Sequence, residues 1–223
     1  MIGSVFNVIG PVMIGPSSSH TAGAVRIGLV ARSLLGGAAP IHAKFGLHGS
    51  FAATGHGHGT RLALVAGLLG VLPDDERLVD SFSLAKKQGL EFSFEDVDLG
   101  EDFHPNGVQI RLQSDSEECH ALLAASVGGG SIRVEAIDGF ETNLDGSSPA
   151  IILWHNDRIG YLAALTAILA AAGANIASIL TSRHTRGQKA VTTVAVDRTL
   201  PPEIQKQLQD IPDTHLIRLI QEV

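Results

Sequence analysis

Apolar residues recur along this chain with two periods, and the places where one period gives way to the other mark out helices and strands. Ala22, Val25, Leu29, Val30 and Leu34 keep helical spacing after Pro16-Ser-Ser-Ser-His20 and stop at Gly36-Gly37, which predicts an amphipathic helix with a serine cap. Ile41, Ala43, Phe45 and Leu47 then alternate with His42, Lys44, Gly46 and His48, the period of a strand with one buried face. A glycine-rich loop over residues 50–59 leads into a nearly all-apolar helix, capped by Thr60 and running to Leu72. Asp74-Asp75-Glu76 places acid at the start of a third helix, with Leu78, Phe82 and Ala85 turned inward and Gly89 at its end. Short strands follow at 90–94, 108–112, 122–127 and 132–137, separated by Gly, Asn, Pro and Asp.

The turn-rich Asp145-Gly-Ser-Ser-Pro149 separates this part from a more regular one, so the expected domains are residues 1–146 and 147–223. In the second, a strand at 151–154 precedes a helix carrying Leu162, Leu165, Ile168, Leu169 and Ala172, with Asn156-Asp157 as its expected cap. Strands at 176–184 and 190–196 form a hairpin through Arg186-Gly187-Gln188. Pro201-Pro202-Glu203 opens a helix with Ile204, Leu208 and Ile211 inward, and 216–220 closes as a strand. The order β-α-β-β-α-β is the split βαβ, or ferredoxin-like, arrangement. The first domain reads as mixed α/β or α+β.

Composition narrows the function classes. A formal charge of −7 over 223 residues, with no block of Lys and Arg, argues against a nucleic-acid or anionic-membrane surface. The longest apolar stretches fall short of a bilayer span, and the N-terminus has no basic leader, which reads as cytoplasmic. Cys119 is the only cysteine, so one copy of the chain cannot form a disulfide, a CxxC pair or an all-thiolate metal site. Walker, dinucleotide, HExxH and GxSxG patterns are all missing from the sequence.

Polar chemistry concentrates near the N-terminus. Ser17-Ser18-Ser19-His20-Thr21 falls at a helix start, where free backbone N–H groups suit an anion; a cap alone would account for one of the three serines. The run Thr54-Gly-His56-Gly-His58-Gly-Thr60 puts two imidazoles after a strand, each suited to general-base work, and spacing does not choose between them. His104-Pro105-Asn106 lies in a turn between strands. Ser126-Val-Gly128-Gly-Gly130 reads as a carboxylate-binding nest or as a plain connection. His42, His48 and His120 read as strand-surface residues and Cys119 as a semi-buried thiol.

The run from Ser4 through Gly15-Pro-Ser-Ser-Ser-His-Thr-Ala-Gly23 to Ala24 resembles the start of the beta chain of bacterial iron–sulfur-dependent L-serine dehydratase. Ser50-Phe-Ala52, Gly57-His-Gly-Thr60, His104-Pro-Asn106 and Gly128-Gly-Gly130 follow in that family's order, and the C-terminal part is similar to an ACT domain. The resemblance implies an allosteric-substrate-binding-like domain followed by the ACT domain, and an enzyme that turns L-serine into pyruvate and ammonia. It also implies a partner alpha chain carrying the cysteines of a 4Fe-4S cluster, with no metal held by this chain. On matching positions, His58, His20 and His104 are the expected catalytic residues. Ser17, Ser18, Ser19, Thr21, Thr60 and Asn106 are expected to bind substrate, Thr60 also orienting His58. His56 departs from the family pattern and leaves the acting imidazole open between His56 and His58. Asn156, Asp157 and Gly160 stand where ACT domains take an amino-acid effector or meet a partner; a monovalent cation or self-association through this domain are further implied roles. The competing expectation is a non-catalytic, serine-sensing regulatory subunit, since a similar domain pair forms the regulatory tail of some phosphoglycerate dehydrogenases.

Overall fold

The structure, a computed structural model, describes residues 12–223. Met1 to Pro11, which include the first part of the family-like run, lie outside the described residues.

The first helix opens as a π-helix, Ser18–Gly23, and continues without a break as α1, Ala24–Ser33. After β1, Pro40–Leu47, come α2, Ser50–Thr54, and α3, Thr60–Leu68; a 3-10 turn, Glu76–Asp80, then leads into α4, Ser81–Lys87. Five strands follow: β2, Glu91–Asp96; β3, Gly107–Ser114; β4, Cys119–Gly128; β5, Ser131–Ile137; and β6, Phe140–Leu144. They form a sheet with β1 in the order β2-β1-β3-β4-β5-β6. Only β1 and β2 run parallel, because the helices between them carry the chain back across the sheet; the remaining neighbours are antiparallel.

Alternation along the strands decides which face is covered. Phe45, Leu47, Ile110 and Leu122 are fully buried in one core with Ile27, Leu34, Leu64 and Leu68 of the helices. Two glycines let α1 and α3 cross with their backbones in contact: a Cβ on Gly28 would lie 2.5 Å from the Leu64 carbonyl oxygen, and one on Gly67 2.0 Å from that of Val25.

Several details differ from the sequence expectation. The expected loop over 50–59 contains α2, and the helix from Thr60 ends at Leu68, short of Leu72, with its cap position at Gly59. Strand β6 lies beyond the strands that periodicity predicts, although Asp138-Gly139 is a hairpin dipeptide; both residues have positive φ, 52° and 81°, as a primed turn requires. His120 is buried rather than on the surface, its Nδ1 2.9 Å from Asp138 Oδ2, while Cys119 is exposed rather than semi-buried. His48 is half-buried, its Nδ1 accepting the Leu99 N–H at 3.2 Å.

Beyond β6 come β7, Ala150–Asn156; α5, Tyr161–Ala171; β8, Ile176–Arg183; β9, Lys189–Val196; α6, Pro202–Gln209; and β10, Thr214–Ile220. The sheet order is β10-β7-β9-β8, all antiparallel, with its own core of Leu153, Tyr161, Leu165, Leu169, Val194 and Leu208. This is the expected βαββαβ unit. Its opposite face meets the first domain: Ile152, Val191 and Ile220 are buried in the first core. Two polar pins flank that contact. Trp154 Nε1 donates to Asp138 Oδ2 at 2.9 Å, and Arg218 donates from Nε to the Leu34 carbonyl at 2.7 Å while pairing with Glu118. No described helix is long and apolar enough to cross a membrane.

Candidate active site

The carboxyl end of β1 delivers the chain into the corner where α2, the start of α3 and the π-helix converge. Ser17 caps the π-helix by accepting the His20 N–H at 3.1 Å, and the Ser17 carbonyl accepts the Thr21 N–H at 2.8 Å. Ser18 and Ser19 follow the cap, and among the described residues their hydroxyls and N–H groups have no hydrogen-bond partner. Among the described residues, three serines are thus one cap and two unpartnered donors. Thr21 is buried and its hydroxyl donates to the His58 carbonyl at 3.1 Å, so it holds the histidine segment rather than facing a ligand.

His20 is 9% exposed and its Nε2 stands 3.1 Å from Thr54 Oγ1 and 3.2 Å from Ser50 Oγ. Phe51 meets its ring edge-on at 5.2 Å, and the His58 ring lies 4.9 Å away, centroid to centroid. Burial, helped by the nearby His58, holds the His20 imidazole below its ordinary pKa, so it is neutral near pH 7. His58 is half-buried and anchored through Nδ1, 3.0 Å from the Thr54 carbonyl. His56, two residues earlier, is exposed. The geometry therefore sets His58, not His56, beside His20.

Thr60 does not do what the sequence suggested. It is fully buried and its hydroxyl has no partner among the described residues, so the contacts that orient His58 come from Thr54 and Thr21 instead. Ser50 and Thr54 had no role in the sequence reading; their i, i+4 spacing, which puts both hydroxyls on one side of a helix turn, is the signal that could have found them.

The His104-Pro105-Asn106 turn is tied into the same corner by backbone bonds. The Pro105 carbonyl accepts the Ser50 N–H at 2.7 Å, and the Asn106 carbonyl accepts the Ser126 N–H at 3.1 Å. Asn106 Nδ2 donates to the Ser126 carbonyl at 3.3 Å, and His104 Nδ1 accepts the Asn106 N–H at 3.1 Å. His104 makes no ring contact or hydrogen bond with His20 or His58 among the described residues. Burial is the main cause that lowers its pKa, with Arg133 adding to it and Glu135 opposing. Ser126, fully buried with an unpaired hydroxyl, packs against the π-helix at Gly23, where an added Cβ would lie 2.1 Å from Ser126 Oγ. The Gly128-Gly130 run is the β4–β5 hairpin; its Gly130 carbonyl accepts from Arg26 Nη1 at 2.8 Å, which favours the plain connection.

Residues 4–136 match the family described as serine dehydratase beta chain, and residues 150–213 match the ACT domain. The chain belongs to the serine dehydratase beta chain family. It is 41% identical over 94% of its length to a probable L-serine dehydratase, beta chain, of Bacillus subtilis, of which it covers 94%. It is 38% identical to the L-serine dehydratase, beta chain, of Peptoniphilus asaccharolyticus over 92% of each chain. A more distant likeness, 26% identity over 71% of this chain and 30% of the relative, is to D-3-phosphoglycerate dehydrogenase of Bacillus subtilis. The serine dehydratase beta chain match spans the whole corner, from the serine run through His58 to His104-Pro-Asn106.

The ACT turn is built differently. Asn156 and Asp157 do not cap α5; the cap position is Gly160, at φ 86°, with no side-chain hydrogen bond. Asp157 accepts the Gly187 N–H at 2.9 Å and pairs with Arg183, and these two contacts, the backbone one first, hold its pKa below the usual carboxylate value. Asn156 Oδ1 lies 2.9 Å from His215 Nε2, and Arg158 pairs with Asp213 at 3.0 Å. Beneath them His155 is buried, stacked on Tyr161 at 3.7 Å with Nε2 2.8 Å from Thr192 Oγ1; burial lowers its pKa.

Proposed function

We propose that this chain works as the beta chain of a two-chain L-serine dehydratase, L-serine ammonia-lyase, converting L-serine into pyruvate and ammonia. The observation that carries this reading is the His20–His58 corner: His58 is held by its Nδ1 against the Thr54 carbonyl, its Nε2 has no hydrogen-bond partner among the described residues, and its ring lies 4.9 Å from that of His20 in the first turn of the serine-capped helix. An imidazole oriented through one nitrogen and free at the other is the arrangement of a general base. His58 Nε2 takes the Cα proton of serine, and the β-hydroxyl departs. The aminoacrylate formed tautomerises to the imine, which water hydrolyses to pyruvate and ammonia.

The free N–H groups and hydroxyls of Ser18 and Ser19 bind the substrate carboxylate, aided by the positive end of the helix that continues into α1. Ser17 and Thr21 serve that binding by shaping the turn, and His20 keeps a neutral partner close to the base. His104, whose Nδ1 is filled by the Asn106 N–H, offers Nε2–H toward substrate, and the Asn106 amide oxygen is left for the ammonium.

The 4Fe-4S cluster belongs to the alpha chain in this reading. The residues here do not fit one: Cys119 is the only thiol, and the described residues contain no group of three or more His, Cys, Asp or Glu able to hold a metal. The enzyme is a cytoplasmic assembly of the two chains. In the ACT domain the side chains of Asn156 and Asp157 are already spent within the fold, which favours association over effector or cation binding at that turn. Copies associate through β8, an edge strand with Ile179 and Leu180 exposed.

The test is anaerobic co-expression with the alpha chain. A brown complex that releases pyruvate from L-serine is the expected result. A complex that contains cluster but yields no serine-dependent pyruvate would favour the serine-sensing subunit instead.

A further inference from the structure

Thr54 touches both histidines of the corner, through different atoms. Its carbonyl oxygen accepts the Gly57 N–H at 3.1 Å and lies 3.0 Å from His58 Nδ1. A carbonyl has only lone pairs to offer, so the proton in the second contact sits on the ring: His58 is the Nδ1–H form and its Nε2 is bare. The hydroxyl obeys a stricter count. It lies 2.9 Å from the Ser50 carbonyl, 3.2 Å from Ser50 Oγ and 3.1 Å from His20 Nε2. It has one proton and two lone pairs, and only the carbonyl among its three neighbours is unable to donate. The proton therefore goes to the Ser50 carbonyl. The two lone pairs then face Ser50 Oγ–H and His20 Nε2; Ser50 Oγ, also 3.2 Å from that nitrogen, directs its proton to Thr54 Oγ1 and accepts a second share of the ring proton, so His20 carries its proton on Nε2 and Nδ1 is bare.

We propose that Thr54 is a positioning residue that locks the two facing imidazoles in opposite tautomers, His58 as Nδ1–H through its backbone and His20 as Nε2–H through its side chain. The consequence for catalysis rests on the reading of His58 as the base: a neighbouring ring whose Nε2 is already protonated and tied to a hydroxyl cannot take up at that nitrogen the proton that His58 removes. The assignment also separates two functions in one residue. Removing the hydroxyl leaves His20 Nε2 with Ser50 Oγ alone, a partner able to donate as well as accept, and leaves the His58 anchor, a main-chain atom, in place.

Long-range 1H–15N correlation spectra of the uniformly 15N-labelled full-length chain, above the histidine titration range, read the tautomers directly. Wild type is expected to show Nδ1–H for His58 and Nε2–H for His20, with His20→Gln and His58→Gln spectra assigning the signals. Thr54→Val should leave His58 unchanged and turn His20 into a mixture of forms, and Thr54→Ser should restore the wild-type pattern. In the reconstituted two-chain enzyme, Thr54→Val should lower kcat about 3- to 10-fold, the loss of one positioning hydrogen bond, with a smaller change in KM. Thr54→Ser should recover most of that loss. Finding His20 as Nδ1–H in wild type, or finding its spectrum or kcat indifferent to Thr54→Val, overturns the proposal. A wild-type complex without lyase activity would overturn the functional reading instead, and the tautomer spectra would still decide this one.

Discussion

The corner around His20 and the turn around Asp157 are both polar clusters, one in each domain, and they differ in what remains unspent. In the corner, Ser17 and Thr21 are consumed in holding the turn, while Ser18, Ser19 and His58 Nε2 have no hydrogen-bond partner among the described residues. At the ACT turn, Asp157, Arg183, Asn156, His215, Arg158 and Asp213 satisfy one another. Two clusters that look alike in sequence thus have opposite meanings: a closed network holds a fold together, and an open one is equipped to hold something else.

Removing His58 is the most severe way to probe the open cluster. His58→Ala in the two-chain enzyme should lower kcat by about 10²- to 10⁴-fold, the usual worth of a general base, whereas His56→Ala should stay near wild type. Steady-state pyruvate release checks both; near-wild-type kcat for His58→Ala with a loss for His56→Ala would assign the role to the other imidazole.

Gly23→Ala tests whether the open cluster depends on close packing beneath it. Its new methyl meets Ser126 Oγ at 2.1 Å, so a loss of about 1–3 kcal/mol in urea unfolding is expected from overpacking. An unchanged midpoint would show that the π-helix yields at this point.

Both clusters respond to acid, for different reasons. His20, His104 and His155 all have folded-state pKa values below the ordinary one, mainly through burial, so the stability they allow is fully present above about pH 6.5 and is lost as the pH falls through the lowered values. Asp157 is depressed from the carboxylate range, so its contribution persists through that window and is lost only at lower pH. Thermal melts across the acid range should show two declines, and Asp157→Asn should flatten the lower one while shifting only the His155 share of the upper one, since Asp157 raises the His155 pKa against burial; a lower decline unchanged by Asp157→Asn would show that the carboxylate contributes nothing there. The smallest effect is expected at Cys119, which is exposed and outside both clusters: Cys119→Ser should change stability by no more than about 0.5 kcal/mol and leave the cluster content of the complex unchanged.

Periodicity made most of the fold legible. The alternation through Phe45 and the helical spacing through Val30 place those residues in the core where they are found, because burial of one face is what the period records. It failed where polarity rather than periodicity shapes the chain. Strand β6 has five residues with Glu141 and Asn143 exposed between the buried ones, too brief an alternation to stand out. Asn156 and Asp157 carry the side chains of helix caps, yet their partners, His215 and Arg183, come from distant strands, and local sequence holds no record of such pairings. The histidines of the corner were visible as a concentration of residues. Which nitrogen each one offers depends on Thr54, whose exposed threonine in a glycine-rich stretch has no periodic signature.

The continuous helix from Ser18 to Ser33 fixes a length. Its first turn carries His20 to Thr54, and just past its last residue the Leu34 carbonyl is held by Arg218 of the ACT sheet. One inserted residue would advance everything beyond it by about 1.5 Å and rotate it by about 100°. It would also part Gly28 from its backbone contact with α3. The helix is a ruler as well as a wall of the core, so its residue count is constrained separately from its composition. Substitutions along its outer face are tolerable where a single insertion or deletion is not.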